Sequence, residues 1–170
     1  MFINSQEDFF YSFINPENRP KVWMSGDEYQ ILVDAKNSNN TMTLLNAVVP
    51  PNSGPPAHLH SDVDELFVLT EGKIEFMVDD KCHEMTAGSC VFVGANVPHG
   101  FINKSDSIAK MLIFYCPAGV ENFFLAAGLP YKDGVMPPSR DIDAVKREIE
   151  IASSYKITSA LDKIPLEQVN

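Results

Sequence analysis

The chain predicts an all-β fold, an antiparallel sandwich or barrel with an extension at each end. Three observations carry that expectation. Between about Tyr29 and Cys116, short apolar runs recur and are broken by turn-forming residues. Three of the four histidines fall in two short blocks inside this stretch. Outside it the texture changes, to an aromatic-rich start and a helix-like end. A chain of 170 residues is one domain, or one domain with extensions, and is long enough to bury a core. The reading divides it into an N-terminal arm over 1–28, a barrel over 29–118 and a helical C-terminal extension over 119–170.

The first apolar run, 29–35, leads into the turn-like Asn37-Ser38-Asn39-Asn40. The next, 42–49, runs into Pro50-Pro51-Asn52-Ser53-Gly54-Pro55-Pro56, which can only be loop. Strands are expected over 66–70, 73–78 and 81–85, with Glu71-Gly72 and Asp79-Asp80 as tight hairpin turns. Runs at 89–93, 98–102 and 109–116 complete the set. Beyond Pro117, residues 120–127 read as a short helix with Gly128 as its C-cap. Residues 130–138 read as loop. Ser139 is expected to cap a second helix running to about Ser154, whose apolar stripe is Ile142, Val145 and Ile149. The last fifteen or so residues carry no clear pattern. Phe2, Phe9, Phe10, Tyr11, Phe13 and Ile14 are too apolar for a free tail, so the arm is expected to cover part of the barrel or a partner subunit.

Composition narrows the function. A net charge of -10 argues against nucleic acid, because binding phosphate needs clustered Lys and Arg. No run approaches the roughly 18 apolar residues of a membrane span, and the start lacks the basic and apolar regions of a secretory signal. Cys82, Cys90 and Cys116 are odd in number and share no CxxC spacing. They read as reduced thiols, buried as small apolar residues in a cytoplasmic protein.

The chemistry concentrates in the two blocks. In the first, His58 and His60 stand two apart, so on a strand they project from one face. Glu65 follows a short polar turn and opens the next strand, where its carboxylate can fold back toward the pair. In the second block His99 arrives from a later strand and can close the site. Three imidazoles and one carboxylate leave positions open on an octahedral ion, as a catalytic metal needs. The metal-ligand set is therefore His58, His60, Glu65 and His99, and the ion is one divalent transition metal, with Fe, Mn, Co, Ni and Zn all compatible.

These two blocks resemble the cupin superfamily. Its first motif is matched by Gly54, His58, His60, Glu65 and Gly72, with three residues between Gly54 and His58 where the family has about five. Its second motif is matched by Gly88, His99 and Asn103. Position 94 is Gly where the family usually has Pro, and position 96 is Asn where it usually has Gly. Asn tolerates left-handed backbone, so this turn is still expected to form. The stretches beginning at Val49, Glu65 and Pro117 look like those of single-domain, quercetin dioxygenase-like cupins. The resemblance implies a jelly-roll barrel that binds a first-row metal, sometimes cleaving flavonols or other enediols with dioxygen. It also points to a homodimer.

The remaining candidates receive plainer roles. Asp62 and Asp64 read as a solvated turn rather than extra ligands. His83, between Cys82 and Glu84, reads as an exposed strand histidine. Asn103 serves the fold. Phe67, Leu69 and Phe101 alternate with the ligands and are expected to line the same cavity. Gly72 and Gly88 read as turn glycines. Glu65 is the catalytic candidate, as a proton acceptor that also ligates; Tyr115 and Glu75 remain open, since nothing in the sequence orients them. The functional expectation is a metal-dependent oxygenase acting on a small enediol or flavonol-type molecule. The alternatives are a metal-dependent isomerase, lyase or cyclase, and a non-catalytic small-molecule binder.

Overall fold

The computed structural model describes residues 10–138 and 142–161. Phe2 and Phe9 of the arm, and the expected Ser139 cap, lie outside the described residues. Twelve strands appear in chain order: β1 (Lys21–Met24), β2 (Asp27–Val33), β3 (Thr43–Val49), β4 (His58–His60), β5 (Asp64–Glu71), β6 (Lys73–Val78), β7 (Lys81–Thr86), β8 (Cys90–Val93), β9 (His99–Ile102), β10 (Ala109–Cys116), β11 (Leu129–Pro130) and β12 (Ile157–Ser159). Two helices, α1 (Glu121–Ala127) and α2 (Ile142–Ala152), lie in the C-terminal part. One sheet runs β11-β1-β2-β3-β10-β5-β8, the other β12-β4-β9-β6-β7, and every pairing is antiparallel. This is the jelly-roll that the sequence predicts.

Alternation decides which side chains face inward. On β3, Thr43, Leu45, Ala47 and Val49 are buried, and the residues between them are not. On β10 the inward set is Ala109, Met111, Ile113 and Tyr115. Pairing of β10 with β5 places Tyr115 opposite Glu65 and Ile113 opposite Phe67, so these four share a face. Phe76 of the other sheet meets Phe67 edge-on at 4.8 Å between ring centres. Burying each such ring contributes about 1.5–3 kcal/mol.

Several local expectations hold. Asp79-Asp80 closes the β6–β7 hairpin, with Val78 paired to Lys81 and Asp79 left-handed at φ 56°. Asn96 is left-handed at φ 66°, as the altered turn requires. His83 is exposed on β7, and buried Asn103 donates from Nδ2 to the carbonyls of Val49 and Ser107.

Others are corrected. Glu71-Gly72 is not a hairpin: β5 belongs to one sheet and β6 to the other. Gly72 turns the corner between them at φ +80°, and a Cβ there would sit 2.9 Å from the Ala109 Cα. The three cysteines are exposed rather than buried. Among the described residues, Cys82 and Cys90 lie on the edge strands β7 and β8, and Cys116 ends β10. Gly128 is the C-cap of α1 as expected, its N–H donating to the Phe124 carbonyl, with an extended rather than left-handed backbone at φ -67°. It is needed for close packing, since a Cβ would lie 2.7 Å from the Val22 side chain. Phe10, Tyr11 and Phe13 stand exposed and do not cover the barrel, which leaves the partner-subunit alternative for the arm. The β1–β2 hairpin spans residue 28, and β12 joins the smaller sheet.

Candidate metal centre

The proline-rich loop before β4 is fastened to the end of β9. Asn52 N–H donates to the Asn103 carbonyl, and Asn103 N–H donates to the Ser53 carbonyl. Gly54 makes this possible: at φ +135° a Cβ would fall 2.2 Å from the Phe101 carbonyl oxygen. The loop therefore delivers β4 alongside β9, where His58 pairs with His99.

All four expected ligands converge. One donor atom from each of His58, His60, Glu65 and His99 lies within 4.8 Å of the others. His58 and His99 donate from Nδ1 to the carbonyls of Pro56 and Val97, both at 2.9 Å, which leaves their Nε2 lone pairs for the cluster. Glu65 Oε1 lies 3.3 Å from His60 Nε2 and 3.1 Å from His99 Nε2. These groups are buried; Glu65 is 2% exposed and His99 1%. His60 Nε2, His99 Nε2 and Glu65 Oε2 have no hydrogen-bond partner among the described residues. Leaving such buried atoms unpaired costs about 1–3 kcal/mol each, and one cation among them would satisfy all three. The donor set fits a divalent first-row ion.

Electrostatics agree with that role. Burial first, then the neighbouring His99, push His58 and His60 down to about 3, so both imidazoles are neutral and able to ligate near pH 7. For His99, burial lowers the pKa but the adjacent Glu65 carboxylate more than offsets it, and the net direction is upward. The Tyr115 hydroxyl is raised well above its ordinary value, by burial and then by Glu65.

The cluster opens into a cavity of about 70 Å³, room for roughly five water molecules. Its wall includes Phe67, Phe101 and Ile113 from the barrel, and Val145, Glu148, Ile149 and Ala152 from α2. Tyr115, whose orientation the sequence left open, faces this cavity with its ring 5.7 Å from that of His60. Glu75 does not. It alternates outward from Phe76 and pairs with Lys104 at 2.7 Å. Leu69 is buried in the core without reaching the cavity wall. Asp64 accepts from the Ala95 N–H, and Asp62 pairs with Lys156, so both serve the turn. Glu148 was missed. It stands within the spacing 145, 148, 149, 152, the inward face of α2, and that periodicity was its one signal.

Residues 46–115 match the cupin domain family. The chain is 27% identical over 84 residues to quercetin 2,3-dioxygenase from Bacillus subtilis (strain 168), covering 49% of this chain and 24% of that protein. The chain thus spans about a quarter of that curated relative's length. Among solved structures it resembles a predicted oxalate decarboxylase from Thermotoga maritima, with TM-score 0.56 and 18% identity over 62% of this chain and 99% of the other. It also resembles a cupin sugar phosphate isomerase from Silicibacter pomeroyi, with TM-score 0.55 and 19% identity over 62% and 75%. At these identities the structural likenesses establish the fold, and the three names span three different reactions.

Proposed function

We propose that this member of the cupin superfamily holds one divalent transition metal on His58, His60, Glu65 and His99, and uses it to oxygenate a small enediol-type molecule. The observation that carries this reading is the set of buried, unpaired donor atoms turned toward one another beside an apolar cavity. A bound ion would supply Lewis acidity, lowering the proton affinity of a substrate hydroxyl. Glu65, within the ligand cluster, is placed to accept that proton. Tyr115 stands beside Glu65, and its high proton affinity keeps it a hydrogen-bond donor at neutral pH. Phe67, Phe101 and Ile113 hold an apolar body and exclude water.

The wall also favours a substrate class. Among the described lining residues there is no Lys or Arg, and the acidic ones are Glu65 and Glu148. Away from the ion itself, a carboxylate or phosphate would find no counter-charge there, so a molecule that presents its polar end to the metal and an apolar body to the wall fits best.

Glu65→Gln tests the reading. The amide still offers the ion an oxygen but cannot accept a proton at neutral pH, so part of the metal affinity stays and turnover falls by about 10²–10⁴-fold. An oxygen electrode with a panel of enediols, run with each of Fe, Mn, Co, Ni and Zn, is the assay. Wild-type turnover by metal-loaded Glu65→Gln makes Glu65 a ligand alone. No oxygen uptake with any pair rejects the oxygenase. The paired proton donors and acceptors Tyr115 and Glu65 then favour a metal-dependent isomerase or lyase, and a binding protein if no turnover is found.

A further inference from the structure

The strand that carries two of the four ligands has few bonds to the barrel, one of them from the Asn96 N–H to the His60 carbonyl at 2.7 Å. β4 is three residues long and shares one bridged pair with β9, His58 with His99. With β12 it shares three: His60 with Ile157, Leu59 with Thr158, and His58 with Ser159. The ladder extends past both ends of β4. Ser61 N–H donates to the Lys156 carbonyl at 3.1 Å, and Ala160 N–H donates to the Ala57 carbonyl at 2.9 Å. Antiparallel alternation then puts Thr158 and Leu59 in the hydrogen-bonded pair between these two.

β12 is joined through a single 3-10 turn, Ser153–Tyr155, to α2, which closes the cavity. α2 is latched by a buried carboxylate: Glu148 accepts from the Ser25 N–H at 2.9 Å and from the Ser25 hydroxyl at 2.7 Å. Helix and strand therefore form one unit. Its helix walls the space beside the ligands, and its strand aligns two of them.

We propose that Ile142–Ser159 is a positioning clamp for the metal-binding strand, so that docking of this segment and occupancy of the four-ligand site favour each other. The proposal rests on the metal reading above. Coupling of this kind is reciprocal: what the clamp adds to metal affinity, the metal adds to clamp protection. Positioning acts through β4, since no residue of β12 is among the four ligands.

The test uses Co(II), whose visible spectrum reports ligand geometry, on the full chain. Thr158 has an exposed side chain, and its N–H faces β4. Thr158→Pro removes that donor, whereas Thr158→Ala keeps it. The expected result is a tenfold or greater loss of Co(II) affinity and an altered visible spectrum for Thr158→Pro, with Thr158→Ala within twofold of wild type. Should Thr158→Pro fail to fold, amide exchange on wild type decides. Co(II) should slow exchange across residues 142–161 tenfold or more, and should leave it unchanged in the double variant His58→Ala, His60→Ala. If wild type binds Co(II) while exchange in that segment stays the same, or if Thr158→Pro binds as wild type does, the clamp is wrong and the metal site stands. If wild type takes up no Co(II), Ni(II) or Zn(II), both readings fall together.

Discussion

Glu65 and the pair His58–His60 serve the same cluster from strands held in different ways. Glu65 is the second residue of β5, which pairs with β10 along most of its length and with β8 over residues 65–68. The histidines sit on a three-residue strand that depends on a segment nearly one hundred positions later in the chain. One half of the site is built into the core. The other half is built on a short ladder at the sheet's edge. The carboxylate is held between two neighbouring strands and the histidine pair chiefly by β12, so changes at the two places should be felt differently.

The largest effect should come from the rigid half. Phe67 on β5 is 2% exposed and packs on Phe76 and His99. Phe67→Ala should cost about 3–5 kcal/mol, read as a drop in the midpoint of whole-chain denaturant unfolding. A loss under about 1 kcal/mol would mean that β5 is not the firm side.

Acid should act on the histidine half. In metal-free protein His58 and His60 are held down to about 3, against an unfolded value near 6.5. The unfolded chain therefore binds more protons as pH falls below 6.5, and the native state loses stability. The limiting slope is about 1.4 kcal/mol per pH unit for each histidine. His99 is shifted the other way, and its contribution fades only as pH rises above 6.5. Denaturant unfolding at pH 6.5 and at pH 5, after chelation, should show this loss in wild type. In His58→Ala, His60→Ala that part of the slope should be missing; equal slopes would contradict the assignment.

A smaller change sharpens the contrast at β12. Ile157 is buried opposite His60, and Ile157→Val removes one methylene for about 0.5–1.5 kcal/mol. The effect should appear chiefly as faster amide exchange in residues 142–161, with β5 little altered. Uniform acceleration through both regions would erase the distinction.

The same contrast explains what could be read from the chain alone. The ligands lie on short-range spacings: the β4 histidines stand two positions apart, one tight turn precedes Glu65, and one Pro-bearing turn precedes His99. Each is enforced by local backbone geometry, so the cluster was legible. β12 was not, because Ile157-Thr158-Ser159 is too short to show a period and its partner is remote. Tyr115 faces the site only because β10 pairs with β5 in one register, and that register is a tertiary fact. Gly72 read as a hairpin glycine since the sequence cannot say whether two consecutive strands pair or part into different sheets. The cysteines read as core residues by their usual habit. Their actual place on edge strands and at a strand end follows from sheet order, which composition does not encode.

The central claim is that four converging side chains bind one ion. Elemental analysis of the purified protein after loading with a first-row divalent metal and exhaustive buffer exchange tests it most directly. The account predicts close to one metal per wild-type chain and essentially none in His58→Ala, His60→Ala, since half the ligands are gone. Equal metal content in the two proteins, or none in either, would contradict it.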